Sequence, residues 1–308
     1  EGAAITLVYV DATKGWITTD TGQSTDASDA KYVSATGGNS VTTCGNFKIH
    51  TFTGPGTFSV SCAGNSLGSN SVDYLVVAGG GGAGRDAGGG GGAGGFRLSN
   101  STCMPAPQTS PLATPTALPV SVQGYPITVG GGGSADPGPS SSRPAANANG
   151  NPSIFSTITA TAGGGAGSNC YTNGAPGGSG GGTSRNGTVI GDAGSGNTPP
   201  VSPPQGNPGG FNPSAVGGGG GGAAGTSAAD CNGNGGSGSF VVQAGFAGCN
   251  GTPGPVSGAR YFAGGGVGGH NPSAVPCATQ TGGAGGGGAQ NPSGGIAGGT
   301  NTGGGGGA

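Results

Sequence analysis

The chain has 308 residues, of which 82 are glycine and 23 proline, about a third together, and only 6% are charged, with a net charge of −2. Glycine and proline at that level make disorder the first expectation, but an open chain is normally kept in solution by charge, and 31% of these residues are hydrophobic. Glycine does not recur at every third position, so collagen is excluded; no apolar stretch approaches the ~20 residues of a membrane span, and no basic excess marks a nucleic-acid binder.

In chain order, the first part reads as β. Ile5 to Val10 is β-branched and aromatic, a good strand. Lys14-Gly15-Trp16-Ile17 reads as a turn leading into a second strand. Phe47 to Thr53 and Thr57 to Ser61 flank Gly54-Pro55-Gly56, which predicts a hairpin. Val72 to Val77 is apolar on both faces, as a buried strand is. About five strands point to a small sandwich or partial barrel, and no segment reads as a helix. Glu1 stands where an initiator Met would, followed at once by strand, so the chain reads as a piece of a longer or processed polypeptide.

Charge changes near Val77. All three lysines precede residue 76, and only five arginines and four aspartates follow it. The expected division is a β-rich connecting domain over 1–76 and a glycine-rich block over 77–308. Glycine runs fall near 78–84, 87–95, 130–133, 163–167, 177–182, 217–225, 233–238, 264–269, 282–288, 294–299 and 303–307. Loops rich in Pro, Ser, Thr and Asn separate them, and Asn212-Pro213-Ser214-Ala215-Val216 recurs as Asn271-Pro272-Ser273-Ala274-Val275. A residue before proline is pushed to extended geometry and Asn and Ser favour turns, so these loops reverse the chain.

Isolated glycine runs cannot stay ordered. Fixing a backbone costs roughly 1–2 kcal/mol per residue, most for glycine, and a net hydrogen bond returns roughly 0.5–1.5 kcal/mol. A bundle of left-handed three-residue helices escapes this, because such helices direct their amides outward to neighbours and glycine lets backbones approach. A six-residue run spans about 19 Å, so runs of this length suit one block with turns at its two ends. The fold class expected is therefore all-β/irregular: a small N-terminal β-sandwich-like domain, then a bundle of polyglycine II helices joined by long loops.

The residues then point to a family. Cys44 to Phe58 and Val72 to Gly82, with Gly91 to Arg97, Arg260 to Gly266 and Asn301 to Gly307, resemble the glycine-rich domain of tailed-phage virion proteins, especially of marine and cyanobacterial phages. The glycine-rich part is similar in kind to the distal adhesins of long tail fibres, which are polyglycine II sandwiches whose tip loops bind the host. Members often end in a short apolar strand, and this chain stops at Ala308 without one. The resemblance implies a virion or extracellular location. It also implies a host-surface glycan or outer-membrane protein and other fibre or virion subunits as partners, with no nucleic acid and no membrane insertion.

Catalytic chemistry is scarce. The histidines are His50 and His270, the only glutamate is Glu1, and no close acidic pair occurs in the glycine-rich part. Gly-x-Gly-x-x-Gly matches any polyglycine run and carries no information without its strand–loop–helix setting. No Cys-x-x-Cys pair exists among the seven cysteines, so neither an enzyme nor a metal or cofactor is expected. Cys231 and Cys249 are the candidate disulfide; Cys44 and Cys62 flank the Pro55 turn out of register.

Contact candidates are the loop aromatics and arginines: Tyr125, Tyr171, Phe211, Arg143 and Arg185. The ordinary reading of the aromatics is that they cap the bundle. The functional expectation is a fibre module displaying loops for host attachment. The alternatives are a structural subunit without receptor role (a decoration or a filament unit) and an ice-binding polyglycine protein.

Overall fold

Backbone hydrogen bonds, more than side chains, organise this chain. The computed structural model describes residues 6–11, 15–20, 30–85, 88–100, 110–135, 148–168, 173–186, 189–211, 217–226, 233–242, 246–247, 250–269, 280–290 and 295–308. Two units are present. The smaller comprises Glu1–Thr36, Ser59–Val72 and Leu118–Gln123; the larger comprises Gly37–Phe58, Asp73–Ala117 and Gly124–Ala308. The described residues are all-β or irregular, in small sheets with no closed barrel.

In the smaller unit the strands Thr6–Asp11 and Gly15–Asp20 form an antiparallel hairpin. Val33–Thr36 runs antiparallel to residues 59–63, and Ser71–Val72 to Leu118–Pro119. Asn65 fastens a turn here: its Oδ1 accepts from the backbone N–H groups of Lys31, Leu67 and Gly68. Gly64 has φ +72°, and a Cβ there would sit 2.0 Å from the Ser69 carbonyl oxygen, so only glycine fits that turn.

Two strand expectations change. Phe47–Thr51 does not pair across Gly54-Pro55-Gly56; it pairs with Ser40–Cys44, while Gly56–Ala63 pairs elsewhere. The tight reversal is Gly45-Asn46, with Gly45 at φ +55°, the glycine-first two-residue loop whose twist matches paired strands. Pro55 carries no N–H with which to begin a ladder. The expected strand 72–77 is also interrupted. Ser99 Oγ donates to Asp73 Oδ1 and accepts from the Tyr74 N–H, each at 2.9 Å, and pairing resumes only at Leu75–Val77.

The larger unit holds the glycine bundle. Along residues 89–95 successive N–H groups turn to three neighbours in strict rotation. Gly89, Gly92 and Gly95 donate to Gly167, Gly164 and Thr161; Gly90 and Ala93 donate to Gly218 and Gly221; Gly91 and Gly94 donate to Gly306 and Gly303, all between 2.7 and 3.0 Å. The carbonyls do the same toward three other runs. Those of Gly88 and Gly91 accept from Gly269 and Gly266, those of Gly89, Gly92 and Gly95 from Gly84, Gly81 and Ala78, and those of Gly90 and Ala93 from Gly182 and Ser179. A three-residue period with every amide directed outward is the polyglycine II helix. Six runs ring this one. The run 264–269 is likewise surrounded, donating to Gly285, Gly236 and Gly91 and then, one turn on, to Gly288, Gly233 and Gly88.

Sterics explain the glycines. A Cβ on Gly89, Gly90, Gly91 or Gly92 would lie 2.1–2.4 Å from a carbonyl oxygen of a neighbouring run. The runs also differ from the expected set. The stretch 282–288 is two runs, because Gly285 and Gly286 take φ of +102° and +84° and reverse the chain. Conversely Ala148-Asn149-Gly150-Asn151 and Asn207-Pro208-Gly209-Gly210 join the bundle with few glycines. Gly82 N–H bonds Ala148 and Gly79 N–H bonds Asn151, while Gly180 and Thr183 bond Asn207 and Gly210.

Ordinary side-chain packing is concentrated where runs become strands. Phe96, Leu98, Val241, Phe262, Ala93, Ala223, Ala247 and Ala263 form one buried cluster, with Leu75, Val77, Leu112 and Phe246 against it. Its strands Leu75–Val77, Phe96–Ser99, Ser239–Val242 and Ala259–Phe262 each continue directly into, or out of, a glycine run. Gln205 closes the same end: fully buried, its Oε1 accepts from the Thr161 N–H at 2.8 Å, and its Nε2 donates to Thr161 Oγ1 and the Pro199 carbonyl. Burial pushes the Tyr74 phenol above its ordinary value of 10.0, with the Arg97 charge pulling the other way.

Four substitutions probe this packing. Gly91→Ala should lower stability by about 3 kcal/mol or more, since backbone cannot yield as a side chain can. Gly131→Ala, where a Cβ meets nothing within 4 Å, should be neutral or stabilising by about 0.4–1 kcal/mol; paired thermal melts separate the two. Gln205→Ala strands buried backbone groups and should cost about 2–4 kcal/mol in the same assay. The folded state favours neutral Tyr74. Its contribution is therefore complete below about pH 10 and lost as pH rises through the folded value, and Tyr74→Phe should reduce the alkaline fall in Tm.

Candidate functional site

The runs give the bundle of the larger unit two distinct ends. At the strand end lie the apolar cluster and Gln205. Following each run away from it leads to the opposite, tip end. The run 78–84 leaves the strand Leu75–Val77 and reaches Arg85 at the tip, and 88–95 returns to Phe96. Residues 161–167 run out again, antiparallel to 88–95, because Gly95 bonds Thr161 and Gly89 bonds Gly167. The same reading carries 177–183, 207–210 and 263–269 outward and brings 217–223 back.

Seven connections therefore have both described flanks at the tip end. They fall between Gly84 and Gly88, Ala135 and Ala148, Ser168 and Asn173, Ser184 and Gly191, Gly210 and Gly217, Gly269 and Gln280, and Gln290 and Gly295. Of these, the hairpin Arg185–Asn186 with Val189–Ile190 is described as a pair of short strands. Ser184 Oγ, buried, donates to the Ser168 carbonyl at 2.7 Å, so two of these connections are tied together at their bases. Arg85 is exposed on the first.

The expected contact residues divide accordingly. Phe211 follows Gly210 at the tip and is 44% exposed. Arg185 has its backbone in the tip hairpin. Arg143 and Tyr171 lie outside the described residues, in segments whose two flanks are at the tip. Tyr125 corrects the expectation: it is 7% exposed, on the strand Gly124–Thr128, with its ring edge-on to Phe155 at 6.1 Å. Phe155 also packs against Phe58, and Phe58 against His50, whose Nδ1 lies 2.7 Å from the Gly37 carbonyl oxygen. Tyr125 is thus a packing aromatic, and His50 is an engaged strand residue.

Cys231 and Cys249 lie outside the described residues, as does His270. Cys44 and Cys62 are free thiols. Among the described residues no group of three His, Cys, Asp or Glu side chains could hold a metal ion, and no helix is long and apolar enough to cross a membrane. What the tip offers chemically is shape, aromatic surface and scattered charge on a base of bonded backbone. Sequence reasoning missed that Phe211, Arg185 and the flanks of Arg143 and Tyr171 share one end. Counting reversals along the sequence could not assign each loop to an end, because the runs 148–151 and 207–210 carry few glycines and 282–288 is two runs.

The profile of the glycine-rich domain matches residues 51–308. No curated protein and no solved structure matches the chain. The match spans the strand-to-run transitions, both ringed helices and all seven tip connections, so the chain belongs to the glycine-rich domain family.

Proposed function

We propose that this chain is a non-catalytic display module of a phage fibre, which presents the tip connections of its glycine bundle to a host-surface glycan or outer-membrane protein. One observation carries the reading: seven connections are gathered at one end of a block held by backbone hydrogen bonds. Such a base allows connection sequences to vary without disturbing the fold, because interior runs depend on glycine backbone and not on the loops. Loops on a rigid scaffold are where binding residues concentrate. Aromatic and arginine side chains such as Phe211 and Arg185 suit stacking on sugars and contact with polar surfaces. The resemblance to virion proteins supplies the setting, on the virion and outside the cell.

Binding of the fluorescently labelled chain to a panel of candidate bacterial hosts tests this. Replacing the connections 136–147 and 212–216 with Gly-Ser segments, or Phe211 with Ala, should weaken binding by about tenfold or more while the thermal melt is unchanged. Substitutions on the strand end should leave binding intact when the fold is kept. Equal loss from either end, or no binding to any host together with incorporation into virions, would favour a structural subunit; thermal hysteresis in the purified chain would instead favour ice binding.

A further inference from the structure

Native proteins leave few buried polar groups unpaired, and each exception needs a reason. Among the described residues three buried side chains hold polar atoms without a hydrogen-bond partner: Ser179 Oγ, Thr183 Oγ1, and both Nε2 and Oε1 of Gln280. They are 0%, 1% and 5% exposed. Two of the three belong to the tip of the bundle. Gln280 is the first described residue after the connection that leaves Gly269, and Thr183 immediately precedes Ser184, where another connection begins. Ser179 lies on the same run as Thr183 but toward the strand end, with its Oγ beside Gly206.

Thr183 and Gln280 both border the start of the run 217–223. Gly218 N–H donates to the Thr183 carbonyl at 2.9 Å, and Thr183 Oγ1 lies 3.1 Å from the position a Cβ on Gly218 would take. The Cβ position of Gly233 is 2.7 Å from the Gly217 carbonyl oxygen and 3.5 Å from Gln280 Nε2. Phe211 adjoins this group, because Thr183 N–H bonds the carbonyl of Gly210, the residue before it. Gln280 lies one residue from the surface along the chain: Thr281 is exposed, its N–H held by Asn234 Oδ1 at 2.8 Å.

We propose that Gln280 and Thr183 form the polar floor of a saccharide subsite at the tip, beside the Phe211 ring; this rests on the reading of the tip as the end that contacts the host. A carboxamide offers a donor and an acceptor side by side, which matches two adjacent hydroxyls of a sugar ring, and the threonine hydroxyl adds a third polar contact. Phe211, 44% exposed, supplies an apolar face for the ring C–H groups. The floor is recessed and uncharged, which suits the edge of a sugar ring better than a broad protein surface. Covered but unpaired groups lose no hydrogen bond when the tip opens to a ligand, and gain one on contact. Left empty they cost stability, so binding is the reason to retain them.

Isothermal titration of the full chain with delipidated surface polysaccharide from a host that it binds tests this, beside a thermal melt of each variant. Gln280→Leu and Thr183→Val should each raise Tm by about 1–3 °C, because a buried group without a partner is removed. Each should also weaken polysaccharide binding by about tenfold or more. Ser179→Ala is the control, expected to raise Tm and leave binding unchanged. Gln280→Met, closer in length, repeats the test where leucine does not fit. Variants that melt higher and bind as the unaltered chain does would overturn the proposal and assign the unpaired atoms to ordered water only. A lower Tm in both Gln280 variants would overturn it by showing that the carboxamide is paired. Binding to whole cells without binding to the polysaccharide would overturn it in favour of a protein receptor, with host attachment left standing; binding to no host would remove both.

Discussion

Backbone packed against backbone, with nothing between, is the constraint on which the glycine bundle depends. Each amide of an interior run must find a carbonyl on a different run, and the three-residue period parcels those partners out among six neighbours. A methyl group at Gly90 would meet a carbonyl oxygen at 2.1 Å, so the composition is a packing requirement and not merely a lack of information. In an ordinary domain the core is filled by side chains and the backbone pairs around it. Here the order is inverted, and the interior is the hydrogen-bonded ladder itself.

That inversion has an energetic limit. Each interior residue makes two backbone bonds but shares each with a partner, so the return is about 0.5–1.5 kcal/mol per residue, against an ordering cost of about 1–2 kcal/mol that is greatest for glycine. Runs alone come close to balance. The apolar cluster of Phe96, Leu98, Val241 and Phe262 supplies burial of the usual kind at one end, and it is attached covalently to the runs through their flanking strands. The two halves of the design are therefore complementary: the plug stabilises the ends of the runs, and the runs carry that order outward to the tip.

Much of this was legible in the sequence, and the misses have definite causes. The glycine runs marked the helices, because no other residue survives a contact of two ångströms. Charge and composition change near Val77, yet the two units interleave along the chain, with Gly37–Phe58 in the larger and Leu118–Gln123 in the smaller. The runs 148–151 and 207–210 were not legible, since outer helices touch fewer neighbours and tolerate Asn and Pro. The Gly54-Pro55-Gly56 hairpin misled because a turn signal does not say which strands it joins; Gly45-Asn46 held the tighter reversal. Tyr125 was expected at a surface from its turn-forming neighbours, yet Phe155 and Phe58 lie where its ring can pack. Gln205 could not be singled out, because a single glutamine in a proline-rich loop gives no hint that its amide completes three bonds.

The ring around residues 88–95 is drawn from runs scattered over the rest of the chain, and one of its members is the segment 303–306. The hydrogen bonds from Gly91 to Gly306 and from Gly94 to Gly303 close loops of more than two hundred residues. Contacts so distant along the chain are slow to form, because loop entropy is lost before the pairing returns anything. On a ribosome the first glycine helix would wait, unsheathed, until the segment 303–306 had emerged. The same interlocking works in reverse once assembly is complete: no run can leave without breaking bonds to several others, so the finished block is held by the height of its unfolding barrier as well as by its depth.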